Sequence, residues 1–302
     1  MKKSRTIMIV TFLAPALIMF AMIFIYPIIR TLIMSVYSVP HVTADVSTWE
    51  FVGIKNFIRL LDSNLFVTSL WNLFRIWLFG GACVMVISLI LAAILNSGIR
   101  FKGFFKAVIY MPNVISAVAL ATMWQQYVFN NRYGLLVSFF EKVGWEAASQ
   151  IQWLSPDIKF VSLLIAYCFG MVGYHMLIFS SGIERIPSDL YEASWIDGAN
   201  KIKQFFHITL PLIKGVFKTN VIMWSITSAG FFIWSQLFST VTADQQTVTP
   251  MVYLYAQTFG TGNTITERDA GLGAAVGVML AVFVILAFVA TNTLLKNDDL
   301  EY

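Results

Sequence analysis

The chain carries few groups able to do covalent chemistry. Its three histidines, His41, His175 and His207, lie far apart in the sequence, so no two form a local catalytic or metal-binding pair. Its two cysteines, Cys83 and Cys168, both fall in apolar runs, lack metal-ligand spacing and read as small buried hydrophobes. No stretch fits the glycine-rich GxxxxGK[ST] phosphate loop, and the dipeptide Gly-Lys does not occur. The residues therefore offer neither a nucleotide site of that kind nor the clustered acids and bases of a membrane-embedded enzyme.

What stands out is one polar stretch, YEASWIDGANKIKQFFHITLP at 191–211, set between apolar runs. Pro187 and Ser188 suit a helix start, Asp189 and Glu192 lie near the positive end of its dipole, and Gly198 stops it after about ten residues. A second short helical stretch follows, and Pro211 opens the next apolar run. Ser194 and Gly198 are one turn apart, as are Ala193 and Asp197, which gives a small-residue face. Such a face admits another protein's backbone, and Glu192 offers it a charge. A link folded against its own bundle would use the same residues.

The elements around this stretch are set by composition. With 58% hydrophobic and 12% charged residues and a mean hydropathy of +0.74, the chain is far from a soluble domain, which carries roughly 25% charged residues. Cutting at every Lys, Arg, Asp and Glu leaves seven uncharged runs of at least 20 residues: 6–29, 76–99, 107–131, 160–183, 219–243, 245–266 and 270–295. The run 245–266 is rich in Gln, Thr, Gly and Asn and is set aside, leaving six spans. The apolar start at 6–29 is too long for a secretory h-region and reads as an uncleaved span.

Six spans put both termini on one side. Lys2, Lys3, Arg5, Arg100, Lys102, Lys106, Arg185, Lys201, Lys203, Lys214, Lys218 and Lys296 make 12 of the 20 basic residues, all at the termini or in links of one parity. By the positive-inside rule the N and C termini and the stretch 184–218 are cytoplasmic. The net charge of +4 is then topology and not a nucleic-acid footprint. The expected fold is an all-α integral membrane protein, one domain over 1–302. It comprises a first span at 6–29, an external loop at 30–75 and a five-helix core at 76–296 that includes the link 184–218.

In the external loop, Phe51, Ile54, Phe57, Ile58 and Leu61 recur at helical spacing. They predict an amphipathic helix, either at the membrane interface or packed over the bundle mouth. Trp145 and Trp153 suit interfacial anchoring of loop 132–159. Pro112 and Asn113 predict a kink in the third span. In the sixth, Ala270, Gly271, Gly273, Ala274, Ala275 and Gly277 form a strip suited to close helix packing. His175 is the one candidate ion relay, as an ion-coupled secondary carrier would need, although a lone histidine in a span also fits hydrogen-bonded packing.

EAS at 192–194, Gly198 and ITLP at 208–211 resemble the EAA signature of permease subunits in binding-protein-dependent ABC importers. That signature reads Glu-Ala-Ala, three residues, Gly, nine residues, Ile, any residue, Leu-Pro, and here Ser194 replaces the second alanine. The stretches FVGIKNFIRLL, MPNVISAVALATMWQQYVFNNRYGLL and IERIPSDLYEASWIDGANKIKQFFHITLPLIK extend the resemblance to the carbohydrate-uptake, maltose-type branch. The external loops match only loosely.

The resemblance implies a type I ABC importer permease fold in the bacterial cytoplasmic (inner) membrane. It implies a second homologous permease, two ATPase subunits that bind the ATP and Mg, and an extracytoplasmic solute-binding protein. The chain itself is then no enzyme and holds no cofactor. Heterodimer and homodimer both remain open from one chain, with a heterodimer the usual arrangement. Glu192, Ala193, Ser194, Asp197, Gly198, Ile208, Leu210 and Pro211 would form the ATPase-coupling segment.

The family's sugar contacts come from the spans on either side of that segment, here Tyr167, Gly170, Met171 and Tyr174, then Ser225, Thr227, Ser228, Phe231 and Trp234. Sugars offer apolar faces that stack on aromatic rings and hydroxyls that need partners, so this mixture suits them. Helix packing alone would also use such residues. The cargo implied is a sugar, an oligosaccharide above all, with polyol or glycerol-phosphate solutes as the alternative.

Overall fold

The computed structural model describes residues 2–239, 244–260 and 268–295, with side chains from residue 8 onward. Residues 240–243 of the fifth expected span, residues 261–266 of the rejected run and Lys296 lie outside the described residues, as do the side chains of Lys2, Lys3 and Arg5. In chain order the elements are α1 (Met8–Met34), a hairpin of β1 (Tyr37–Ser38) and β2 (Glu50–Phe51), α2 (Lys55–Asp62), α3 (Asn64–Leu95), α4 (Lys102–Val114), α5 (Ala117–Val128) and α6 (Leu135–Val143). There follow α7 (Lys159–Ile183), α8 (Ser188–Ile196), α9 (Lys201–Gln204), α10 (Lys214–Ala229), α11 (Ile233–Phe238), α12 (Pro250–Phe259) and α13 (Ala270–Leu294).

Among the described residues, α1, α3, α7 and α13 are each long and apolar enough to cross a bilayer. A fifth crossing is possible for α4 and α5 together, which are bent by 96°. The fifth expected span is α10, whose 16 residues reach about 24 Å and fall short of a hydrocarbon core of roughly 30 Å. It stops at Gly230, before α11. The six expected spans thus correspond to four unbroken helices, one bent pair and one helix too short to cross alone.

Two boundaries differ from the sequence expectation. Helix α1 runs past Arg30 to Met34, and α3 begins at Asn64, well before residue 76. Both arginines, taken above as ends of apolar runs, sit inside helices. Arg30 donates to the Val42 carbonyl at 3.3 Å, and the Arg75 guanidinium lies 3.8 Å above the Phe160 ring. A long side chain carries its charge to a partner without ending the helix that bears it. The kink expected at Pro112 and Asn113 falls just downstream. Ile115 is extended, and the Ser116 hydroxyl caps α5 by accepting the Ala119 N–H at 3.2 Å.

The described residues pack as two compact units, Met1–Val67 with Tyr253–Ala281, and Thr68–Val252 with Val282–Tyr302. In the first unit α1 is apolar on every side, and its central window is wholly uncovered. After it the expected helix forms as α2, with the two faces its spacing predicts. Asn56 and Leu60 are buried, while Phe51, Ile54, Ile58 and Leu61 stay exposed. The Asn56 amide pins the chain reversal by donating to the Ser35 and Tyr37 carbonyls at 3.0 and 2.8 Å.

The small-residue strip of α13 does pack closely. A Cβ on Gly271 would lie 2.0 Å from the Tyr37 carbonyl oxygen, a backbone atom that cannot swing away. Gly271→Val is expected to destabilise the protein by about 1–3 kcal/mol, the range for overpacking a tight contact. Gly277→Ala should be tolerated, because the nearest atom to a Cβ there, on the Thr31 side chain, would be 3.6 Å away. Thermal unfolding of both variants in detergent checks the contrast.

The second unit is organised around α7, which is buried along most of its length by α3, α4 and α10. Helices α4 and α7 touch backbone to backbone, since a Cβ on Gly173 would fall 2.3 Å from the Ile109 carbonyl oxygen. A π turn at Ile76–Gly80 widens α3, and Trp224 of α10 fills the space, its indole donating to the Trp77 carbonyl at 2.9 Å. Cys168 is buried and Cys83 is exposed. Trp153 stacks on Phe129 at 5.8 Å, whereas Trp145 is exposed.

Where this unit's chain is not helical, side chains satisfy its backbone. Asn72 donates to the Gln245 and Val248 carbonyls at 3.0 Å each, and Thr249 to the Phe231 carbonyl at 2.5 Å. Backbone that leaves a helix away from water needs such internal partners. Beside them Lys159 pairs with Asp244 at 2.7 Å, both side chains buried.

Candidate functional site

The polar stretch folds into a helical hairpin. Asp189 lies in the first turn of α8, after an extended Pro187. Gly198 closes α8 with φ +79°, the left-handed geometry that favours glycine. There the Gly198 N–H donates to the Trp195 carbonyl at 3.0 Å and the Ala199 N–H to the Ser194 carbonyl at 2.9 Å, the paired bonds of a Schellman end. Asn200 starts α9 at once, its side chain accepting the Lys203 N–H at 2.9 Å. A π turn at Phe205–Thr209 and a turn at Leu210–Leu212 then lead to α10.

Side chains clip the two arms together. Gln204 Nε2 donates to the Tyr191 carbonyl at 3.1 Å and to the Ser194 hydroxyl at 2.9 Å. That hydroxyl donates in turn to the Tyr191 carbonyl at 2.8 Å, and the Tyr191 hydroxyl meets the Thr209 hydroxyl at 2.8 Å. Each such bond contributes about 1 kcal/mol net. Gln204→Ala is expected to loosen the hairpin while leaving the bundle folded. Hydrogen exchange over 188–212 should then rise, with α7 unchanged.

Glu192, Ala193, Asp197 and Gly198 are exposed on this hairpin, while Ser194 is half-buried by the clip. Ile208, Leu210 and Pro211 sit half-buried at its root, apart from the exposed tip. The small face is not the whole of what the tip presents. Trp195 is 78% and Ile196 87% exposed, large apolar side chains that small-residue spacing did not flag. Large apolar residues within a polar stretch were the only local hint of them, and their exposure is set by how the arms meet. Between the hairpin and the ends of α3 and α7 lies a cavity of about 800 Å³, lined in part by Ile90, Asn96, Glu184, Lys201 and Phe206.

The candidates flanking the hairpin fall into two groups. Tyr167, Phe231 and Trp234 come together in a buried knot with Trp224; the Tyr167 ring lies 4.7 Å from Phe231, 5.7 Å from Trp234 and 5.5 Å from Trp224. Gly170 borders it, since a Cβ there would touch Leu120 at 3.1 Å and Trp234 at 3.7 Å. Buried Ser228 has no hydrogen-bond partner among the described residues. Ser225 is committed to packing, accepting from the Trp77 indole at 2.8 Å. Met171 and Tyr174 are half-buried, and Thr227 is exposed with its hydroxyl bonded to the Met223 and Trp224 carbonyls.

Asn113, read from the sequence only as part of a kink, reaches the first group's edge. Its amide donates to the Gly170 carbonyl at 3.2 Å and contacts Met171 Sδ at 3.8 Å. His175 is fully buried, with Nδ1 bonded to Asn220 Oδ1 at 2.7 Å. No carboxylate contacts it among the described bonds, and the pair ties α7 to α10 as a packing contact would.

The protein has the fold of a chain from a bacterial ABC transporter involved in importing the acidic polysaccharide alginate, with a TM-score of 0.80, 18% identity, and 98% of this chain and 97% of that one covered. It is 29% identical over 280 residues to the arabinooligosaccharides transport system permease protein AraP of Bacillus subtilis (strain 168), covering 91% of this chain and 84% of that protein. It is also 29% identical over 274 residues to the sulfoquinovosyl glycerol transport system permease protein SmoG of Agrobacterium fabrum, covering 90% and 84%. Residues 84–296, which hold the hairpin and every candidate around it, match the model of one transport family. The chain belongs to the binding-protein-dependent transport system inner membrane components.

Proposed function

We propose that the chain is the permease subunit of an ATP-driven importer that moves an oligosaccharide into the cytoplasm by alternating access. The observation that carries the reading is the clipped hairpin, stiff by its Schellman end and Gln204 bonds, with Glu192, Ala193, Trp195 and Gly198 exposed at its tip. A peg of that kind transmits a push that a loose loop would absorb. In this reading it seats in a separate ATPase subunit, which binds the ATP and Mg. The termini and hairpin are cytoplasmic, a second homologous permease completes the path, and an external binding protein delivers the solute.

The buried knot of Tyr167, Phe231 and Trp234 is then a closed section of the path, and Ser228 is its unspent hydroxyl. The arabinooligosaccharide relative supports an oligosaccharide as cargo. A glycerol-bearing solute is the second reading, favoured by the relative named for sulfoquinovosyl glycerol.

The test is gentle purification of the tagged chain from native membranes, repeated with Glu192→Arg. An ATPase and a second permease should co-purify with the wild type, and the variant should retain about a tenth of the ATPase or less, a loss of about 1.4 kcal/mol or more in affinity. A chain that purifies alone and carries solute in vesicles without a partner would refute the importer reading.

A further inference from the structure

Glu184 is the first residue beyond α7, at the root where that helix passes into the hairpin. One carboxylate oxygen, Oε1, lies 2.6 Å from both Lys102 Nζ and Lys106 Nζ, on the first two turns of α4. Lys102 also donates to the Asn96 side-chain oxygen at the end of α3. The Asn96 amide reaches the Ser180 hydroxyl of α7 at 2.8 Å. These contacts close a polar ring through the ends of α3, α4 and α7, all within one compact unit.

Among the described hydrogen bonds, one other ties the hairpin to those ends. Lys201 donates to the Ser97 carbonyl at 2.6 Å, and much of the remaining space is the cavity bordered by Asn96, Ser97, Glu184 and Lys201. With that cavity between them, displacement of the tip has its covalent route through α8. It travels through the root, where the ring binds α4 to α7. At its far end α4 carries Asn113, whose amide holds the Gly170 carbonyl beside the aromatic knot.

We propose that Glu184 is a positioning residue for transport, the tie by which the hairpin's movement reaches α4 and, through Asn113, the candidate solute path. The proposal rests on the importer reading above. The two lysines hold the Glu184 carboxyl below its usual range, Lys102 foremost, so the tie persists into more acid conditions than an isolated carboxylate would. The side chains are 43%, 33% and 20% exposed for Glu184, Lys102 and Lys106, so water screens the cluster and it adds little to stability. Its contribution is to hold two helix ends in one geometry, as a two-state coupling element requires.

The test uses the whole complex in proteoliposomes with its binding protein, and reads solute imported per ATP hydrolysed. Glu184→Gln should leave assembly and basal hydrolysis at wild-type levels and lower that ratio about fivefold, within the range by which residues along a coupling network act. Reversing the cluster, with Glu184→Lys, Lys102→Glu and Lys106→Glu together, should restore at least half of the loss, which a purely steric role for Glu184 would not. An unchanged ratio in Glu184→Gln, or no rescue by the reversed cluster, overturns the proposal. A wild-type complex without any ATP-driven uptake instead overturns the importer reading itself, and the proposal with it.

Discussion

Replacing Gly198 by tryptophan is expected to cut solute uptake about tenfold or more, equivalent to about 1.4 kcal/mol or more of lost coupling. Two effects combine at this position. Its φ of +79° penalises any side chain, by about 1 kcal/mol for an ordinary L-residue. A Cβ there nevertheless meets nothing within 4 Å in the chain itself, so a large ring stands free at the hairpin tip. Its obstruction would be felt only by a partner seated on that tip. Gly198→Asn, which tolerates the left-handed conformation, should stay near wild type, and Gly198→Ala should fall between. Uptake measured in vesicles ranks the three, and wild-type uptake by the tryptophan variant would mean that nothing docks there.

Breaking the Lys159–Asp244 pair should do more damage to folding than any other single change considered. Lys159 is 4% and Asp244 10% exposed, at 2.7 Å from each other. Lys159→Met leaves a buried carboxylate without its cation, a loss of about 3–5 kcal/mol in comparable pairs. The damage should spread, because the Asp244 carboxylate accepts the Gln246 N–H at 3.0 Å and its carbonyl accepts the Val248 N–H at 2.7 Å. Adding Asp244→Leu should recover part of the loss, because it removes the unpaired charge while the Gln246 N–H still loses its acceptor. Denaturant unfolding in detergent separates the variants, and a single mutant as stable as the double would show that the pair is solvated.

Much of this architecture could be read from residue order because bilayer crossing imposes a length and polarity that few other structures share. The runs 6–29, 160–183 and 270–295 fall within or nearly on α1, α7 and α13. Runs cut at Arg30 and Arg75 ended early, because each arginine found a partner that let its helix continue. The fifth run was uncharged to its end, yet Gly230 and the residues after it leave the helix and take hydrogen bonds from distant side chains. Nothing local announces such partners.

The hairpin was legible for the opposite reason. Pro187, Gly198 and Asn200 are local stop and start signals, and each acts where it stands. The clip through Gln204 and the exposure of Trp195 and Ile196 depend on how the two arms meet, which spacing along one helix does not specify. In α2 the apolar periodicity was correct, and the buried face was set instead by Asn56, which two carbonyls claim.

The shortness of α10 has a consequence for biosynthesis. Helix α1, uncovered and with a mean hydropathy of 2.6, can leave the translocon and rest in lipid alone. Helix α10 has 16 residues and buries Asn220, Ser225 and Ser228, a poor candidate for solitary partitioning. It gains a place only once α7 is present to offer His175 to Asn220, and α3 to offer the Trp77 carbonyl to Trp224. In the importer reading its entry into the bilayer is then expected to be a folding event, assisted by helices synthesised before it.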